Sequence, residues 1–166
     1  MKTLLTWICV LVLAYGAFRV FGSGTGGIPS SGGAASNVPD GWVTDFAAAS
    51  TQAQTTNKPL LLNFTGSDWC PWCIKMDQEV LDTPQFKDFA AQNLVLVYVD
   101  FPQHKELPAA LAAQNNALQQ KYQIEGFPSF VILDSKGNKL AQMVGYQQGG
   151  PSAFINHCLL YTSRCV

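Results

Sequence analysis

The strongest constraint on this chain is Cys70-Pro71-Trp72-Cys73. It lies just after a short apolar run, Leu60 to Thr65, and just before a stretch with Ile74, Met76, Val80 and Leu81 at helical spacing. Cys70 therefore falls at the N-cap of a helix. Pro71 takes the first helical position, where a missing N–H costs nothing. The free N–H groups of the first turn and the helix dipole favour a thiolate on Cys70. Two intervening residues put Cys73 one turn along, within reach of a reversible disulfide. This order predicts Cys70 as the exposed attacking thiol and Cys73 as the buried thiol that resolves a mixed disulfide.

The other three cysteines fall in the two ends of the chain. Cys9 lies in an apolar run from Leu4 to Phe18, between Lys2 and Arg19. That layout, over residues 1–21, is a secretory signal or a membrane anchor, and Cys9 reads there as an apolar filler. Residues 22–41 form a linker: ten of the 18 residues from Gly22 to Pro39 are Gly or Ser. Such a tether spans roughly 20 to 25 Å, enough to hold a domain clear of a bilayer, and a tether favours a retained anchor. Cys158 and Cys165 belong to the last nine residues, Cys-Leu-Leu-Tyr-Thr-Ser-Arg-Cys-Val. These can be back-translated as a transposase sequencing adapter joined to its own inverted copy. The expectation is that residues 158–166 are adapter-derived, that the final helix stops after about two turns at His157, and that the two extra thiols invite mispairing with Cys70; the alternative is a genuine tail. A single pair, Cys70 and Cys73, is then left for chemistry rather than for stapling.

Between the ends, residues 42–57 are Ala-rich, with Thr44 or Asp45 as N-cap and Pro59 beyond, which predicts a first helix. Leu60 to Thr65 reads as a buried strand. A helix follows from Pro84 with Phe86, Phe89 and Ala90 inward, then a second buried strand over residues 94–99. Residues 108–122 alternate Ala and Leu with Gln and Asn at helical spacing. Residues 130–133 and 140–144 flank a turn from Asp134 to Asn138, a hairpin, and Pro151 opens a last helix. Helical crossovers between the first three strands predict parallel neighbours, and the hairpin adds an antiparallel strand. The expected architecture is an α/β sandwich with a mixed four-stranded sheet flanked by helices.

Charge excludes several classes of function. The whole chain carries a formal net charge of −1, so it has no electrostatic footprint for nucleic acid. Residues 42–157 hold 7 Lys, 10 acids and no Arg, which excludes an Arg clamp on phosphate or carboxylate. A zinc site needs four ligands as a rule, and only His104 and His157 remain to complete one, so no metal is expected. A c-type haem site needs His after the second cysteine, where Ile74 stands.

Trp69-Cys70-Pro71-Trp72-Cys73, the preceding strand and Gly126-Phe127-Pro128-Ser129 before a later strand together resemble the thioredoxin superfamily over residues 42–157. The lead-in at residues 66–70 is similar to that of exported bacterial thioredoxin-like proteins, including the C-terminal domain of the thiol:disulfide interchange reductase. The resemblance implies the thioredoxin fold and a cis bond before Pro128, which faces the cysteines, keeps metals away and aligns a substrate strand. It also implies a substrate-facing set of Trp69, Pro71, Trp72, Phe127, Pro128 and Gly145. Trp69 is expected to pack, Trp72 to present an exposed ring, and Gly145 to leave room for a partner backbone or simply to turn the chain.

By the same resemblance the activity is that of a protein-disulfide oxidoreductase working outside the cytoplasm, as a reductase, with no cofactor beyond the Cys70–Cys73 disulfide. Its partners would be protein thiols and disulfides and a membrane electron donor, and the chain would be monomeric. The rivals are an oxidase or isomerase and a redox-inactive binding or chaperone module on the same fold. Two departures stand out. The buried Asp of the cytoplasmic family members falls on Asn63, which cannot take a proton, so either Asp68, water or another acid serves Cys73, or turnover is slow. The Pro71-Trp72 dipeptide resembles the Pro-aromatic pair of glutaredoxins and implies a potential nearer about −200 mV than −270 mV.

Overall fold

The computed structural model describes residues 38–162. The expectations for residues 1–21, for most of the linker and for Cys165 lie outside the described residues. In chain order the elements are β1 (Trp42–Val43), α1 (Phe46–Thr56), β2 (Leu60–Thr65), α2 (Pro71–Met76, continuing as a π-helical turn over Asp77–Leu81), α3 (Pro84–Asn93), β3 (Val95–Asp100), α4 (Ala109–Tyr122), β4 (Ser129–Leu133), β5 (Lys139–Val144) and α5 (Gly150–Thr162).

Among the described residues the strands form one sheet in the order β1-β3-β2-β4-β5, five strands rather than four. The extra strand is Trp42–Val43, which pairs parallel to β3 through Leu96 and Val97. The Ala-rich pattern ran into it unbroken, but the helix begins only after Asp45. That carboxylate caps it, accepting from Ala47 N at 2.8 Å and Ala48 N at 3.0 Å. Trp42 turns its ring edge-on to Tyr98 instead, 6.0 Å away.

β2 and β3 are parallel, as the crossover between them requires. β4, however, is antiparallel to β2, against the expectation from the second crossover. The cause is the course of α4. Near its middle, Asn115 Nδ2 donates to Asp100 O at the end of β3. At its C-terminus, the Tyr122 ring meets Phe64 near the end of β2. The helix thus lies across the carboxyl ends of the strands and never carries the chain back to their starts. The chain enters β4 at Ser129 beside Phe64, the end from which it left β3.

Two apolar cores flank the sheet. Leu60, Leu62 and Phe64 face α1 and α4, packing with Ala49, Ala53, Val97, Val99 and Leu118. Leu61, Leu96, Phe130 and Ile132 face α2, α3 and α5, packing with Met76, Val80, Phe86 and Phe154. The last helix does not stop at His157: it runs 13 residues, because Phe154 and Cys158, four apart, fall on one inward face and are both buried. Burial pushes the Cys158 thiol up to about 12. That thiol is fully covered and uncharged, so the expected mispairing with Cys70 has no route through it in the folded chain.

Candidate functional site

The site lies where β2 ends and α2 begins. Gly66 O accepts from Cys70 N at 2.9 Å, which folds the loop back under the motif. Gly66 has no tolerance for a side chain: a Cβ there would meet the Trp69 indole at 2.5 Å. Trp69 is fixed from the other side as well, donating Nε1 to Phe101 O at 2.7 Å and standing edge-on to Phe127 at 5.9 Å. Phe127 in turn lies 5.2 Å from Phe101. Trp69 and Phe127 thus join the motif loop, the end of β3 and the Pro128 loop into one wall.

Cys70 is the N-cap of α2 and Pro71 its first residue, as the spacing predicts. The pair is bonded, with the Cα atoms 5.3 Å apart. Cys73 N donates to Cys70 Sγ at 3.2 Å, the donor that favours negative charge on Cys70 once the bond opens. The predicted contrast in exposure is small in this disulfide form: Cys70 is 4% exposed and Cys73 1%. Pro71 is exposed and Trp72 is 57% exposed. The Phe127–Pro128 bond is cis. Pro128 itself is buried, and its carbonyl accepts from Gly145 N at 2.8 Å. Gly145 has φ +83 with open space around its absent Cβ, so its backbone and not crowding asks for glycine there.

Toward the end of β2 that leads into the motif, the sheet turns polar. Asn63 and Thr65 share a face with Leu61, by strand alternation. Both are buried, and Asn63 Oδ1 and Thr65 Oγ1 have no hydrogen-bond partner in the protein. Asp68, one of the groups expected to serve Cys73, is committed to backbone partners. Its carboxylate accepts from Gln103 N at 2.9 Å and His104 N at 2.8 Å. Desolvation acts to raise it, but these bonds and the charges of His104 and Lys105 hold it below the usual range. It ties the Phe101–His104 loop to the motif and stays ionised.

A partly buried acid that sequence reasoning missed is Asp77. It lies one turn beyond Cys73, donating its N–H to Cys73 O, on the side of the helix that also carries buried Met76 and Val80. Burial first, then the nearby charges of Asp82 and Asp100, push its carboxyl up to about 7. Tyr98, also buried, is raised by burial and by the charges of Asp100 and Asp77 and stays a neutral phenol. The Cys73-Met76-Asp77-Val80 spacing was the signal available: an acid among inward positions. It was passed over because a lone Asp in a helix ordinarily faces water.

The sequence model described as thioredoxin-like domain matches residues 46–155. Disulfide bond reductase DsbH of Chlamydia pneumoniae is 41% identical over 111 residues, 67% of this chain and 66% of that protein. Thioredoxin-related protein DsbJ of the same organism is 30% identical over 99 residues, 60% of this chain and 28% of that one. The chain thus spans just under two thirds of the first relative and little over a quarter of the second. A solved structure described as DsbH oxidoreductase superposes with a TM-score of 0.70 at 35% identity, covering 80% of this chain and 95% of that one.

Proposed function

Because the chain belongs to the thioredoxin-like family, we propose that it is a protein-disulfide reductase whose electron carrier is the Cys70–Cys73 pair itself, with no further cofactor. The observation that carries this reading is the Cys73 N–H held 3.2 Å from Cys70 Sγ at a helix N-cap, beside a cis-Pro128 loop. Similarity to a protein called a disulfide bond reductase supports the direction of electron flow.

In the reduced protein the Cys70 thiolate attacks one sulfur of a substrate disulfide. That S–S bond breaks, and the other substrate sulfur leaves as a thiolate and takes a proton. Cys73 then gives up its proton, attacks Cys70 Sγ, and closes the disulfide present in this structure. The second substrate thiol departs, and two electrons have passed to the substrate. A dithiol donor must return them. Asp77 is the acceptor for the Cys73 proton. Its carboxyl ionises near 7, so at neutral pH it is in part free to take a proton and in part ready to give one. Trp72, Pro71 and Pro128 present the substrate chain, with Gly145 leaving space beside them, while Trp69 and Phe127 hold the wall behind them.

The apolar run from Leu4 to Phe18 between Lys2 and Arg19, followed by the Gly/Ser linker, supports a domain tethered at the outer face of a bacterial inner membrane. Detergent and not high salt should then release the full-length chain from membranes. The catalytic test is reduction of insulin in the presence of dithiothreitol. Wild type should accelerate it and Cys70→Ser should not, while Cys73→Ser should accumulate mixed disulfides with its substrates. Trapping by Cys70→Ser instead would reverse the two roles.

A further inference from the structure

Trp72 exposes more than half of a large apolar ring to water, yet the ring is not free. It lies 6.0 Å from the Tyr146 ring. The Lys75 ammonium sits against both rings, 5.5 Å from the Trp72 centroid and 4.7 Å from that of Tyr146. Lys75 and Glu79 are four apart on α2 and would ordinarily pair across one turn. They do not: among the described residues Lys75 makes no ion pair, and a Glu79 oxygen accepts from the Tyr146 hydroxyl in a short hydrogen bond. Glu79 thus anchors the tyrosine, the tyrosine backs the tryptophan, and the lysine fills the gap between the rings by cation–π contact. Tyr146 also directly follows Gly145, whose N–H is bonded to Pro128 O. The bracket therefore joins the motif helix to the residue beside the Pro128 loop, a second aromatic link between these edges besides that of Trp69 to Phe127.

We propose that Tyr146 is a positioning residue: it holds the Trp72 ring in a fixed pose beside Cys70, so that a polypeptide substrate meets a ready-made wall. The inference rests on the reductase reading above. An exposed tryptophan that had to be ordered at each encounter would lose rotamer freedom on binding, and holding it beforehand removes that cost. A small disulfide reaches Cys70 without using the ring. A protein substrate, whose chain extends past the reacting cysteine on both sides, uses it fully. The consequence is selectivity for protein disulfides over small ones, set by a residue that touches neither the reacting sulfurs nor the catalytic acid.

The test compares steady-state reduction of insulin with reduction of bis(2-hydroxyethyl) disulfide by the full-length protein in detergent, with dithiothreitol returning the electrons to Cys70 and Cys73 and the rate without protein subtracted. Tyr146→Leu should raise KM for insulin by about 3- to 10-fold, the fold-change equivalent of one aromatic contact, with kcat retained. The ratio of kcat/KM for insulin to that for the small disulfide should fall by the same factor. Tyr146→Phe keeps the ring and loses only the bond to Glu79, so it should recover most of the ratio. An unchanged insulin KM in Tyr146→Leu overturns the proposal. So does an equal loss on both substrates, which would mean general damage to the site; thermal unfolding of each variant accompanies the kinetics. If wild type reduces neither substrate, the reductase reading fails instead.

Discussion

The two faces of β2 are built from one uninterrupted apolar-looking run, yet they do different work. Toward α1 and α4 the central strands offer Leu60, Leu62, Phe64, Val95, Val97, Val99, Val131 and Leu133. On that face one buried polar atom, Tyr122 Oη, lacks a partner. Toward α2, β2 and β3 begin with Leu61 and Leu96 and end with Asn63, Thr65, Tyr98 and Asp100, at the end where β2 leads into the cysteine motif, while β4 adds Phe130 and Ile132. One face is hydrocarbon along most of the central strands, broken by buried Ser129 at the start of β4, and holds the sheet. The other is graded, apolar far from the disulfide and polar near it. A buried polar end costs stability that a hydrocarbon one would not. On the mechanism proposed above, it offers the Cys73 proton a polar surrounding.

Truncation on the hydrocarbon face gives the largest stability effect. Phe64 is fully buried, and Phe64→Ala should cost about 3–5 kcal/mol in urea unfolding. The redox equilibrium of the cysteine pair with glutathione should stay where it is in wild type, and a large shift there would mean that the two faces are not separable.

Asp77→Asn probes the graded face, with a sign set by pH. The carboxyl ionises at about 7 in the fold against 3.8 for a free aspartate. Between those values the folded state binds the proton and the unfolded state does not, so wild-type stability falls as pH rises from about 4 to about 7. The amide escapes that penalty. Asp77→Asn should therefore be more stable than wild type by about 1–3 kcal/mol at pH 8, a value reduced from the full shift because the side chain is only half-buried. The gain should vanish at pH 4. Turnover should slow, and the inflection near pH 7 in its pH profile should disappear. Retention of that inflection would remove Asp77 from the proton path.

The smallest effect belongs to Thr65→Val. It deletes a buried hydroxyl that has no partner in the protein and should raise stability by about 1 kcal/mol, leaving insulin reduction within twofold of wild type. A loss of stability would show that the hydroxyl is satisfied in solution.

Much of this was legible from the chain alone, and what was not has a common cause. The N-cap at Cys70, Pro71 at the first helical position, the buried strand before them and the Asp134 turn are local, fixed by neighbours within four or five residues. The antiparallel direction of β4 is not local. It follows from Asn115 reaching Asp100 and Tyr122 reaching Phe64 across the sheet, and no periodicity encodes that. The two-residue β1 was too short for any pattern to separate from the helix behind it. Asp77 and Tyr146 gain their significance from partners that the sequence leaves unpaired on paper: Tyr98 and Asp100 for the first, Glu79 and Trp72 for the second. Pro128 was legible only through resemblance, since its cis bond and its hydrogen bond to Gly145 are tertiary facts.

Cys158 gives the chain an internal clock. Its thiol is buried at 0% exposure, on a helix that must leave the sheet before any reagent can reach it. An alkylating agent added to the reduced protein marks the motif peptide on the timescale of the chemistry. A mass increment on the peptide that bears Cys158 accrues only as fast as α5 detaches, so one digest reads site reactivity and native-state opening side by side.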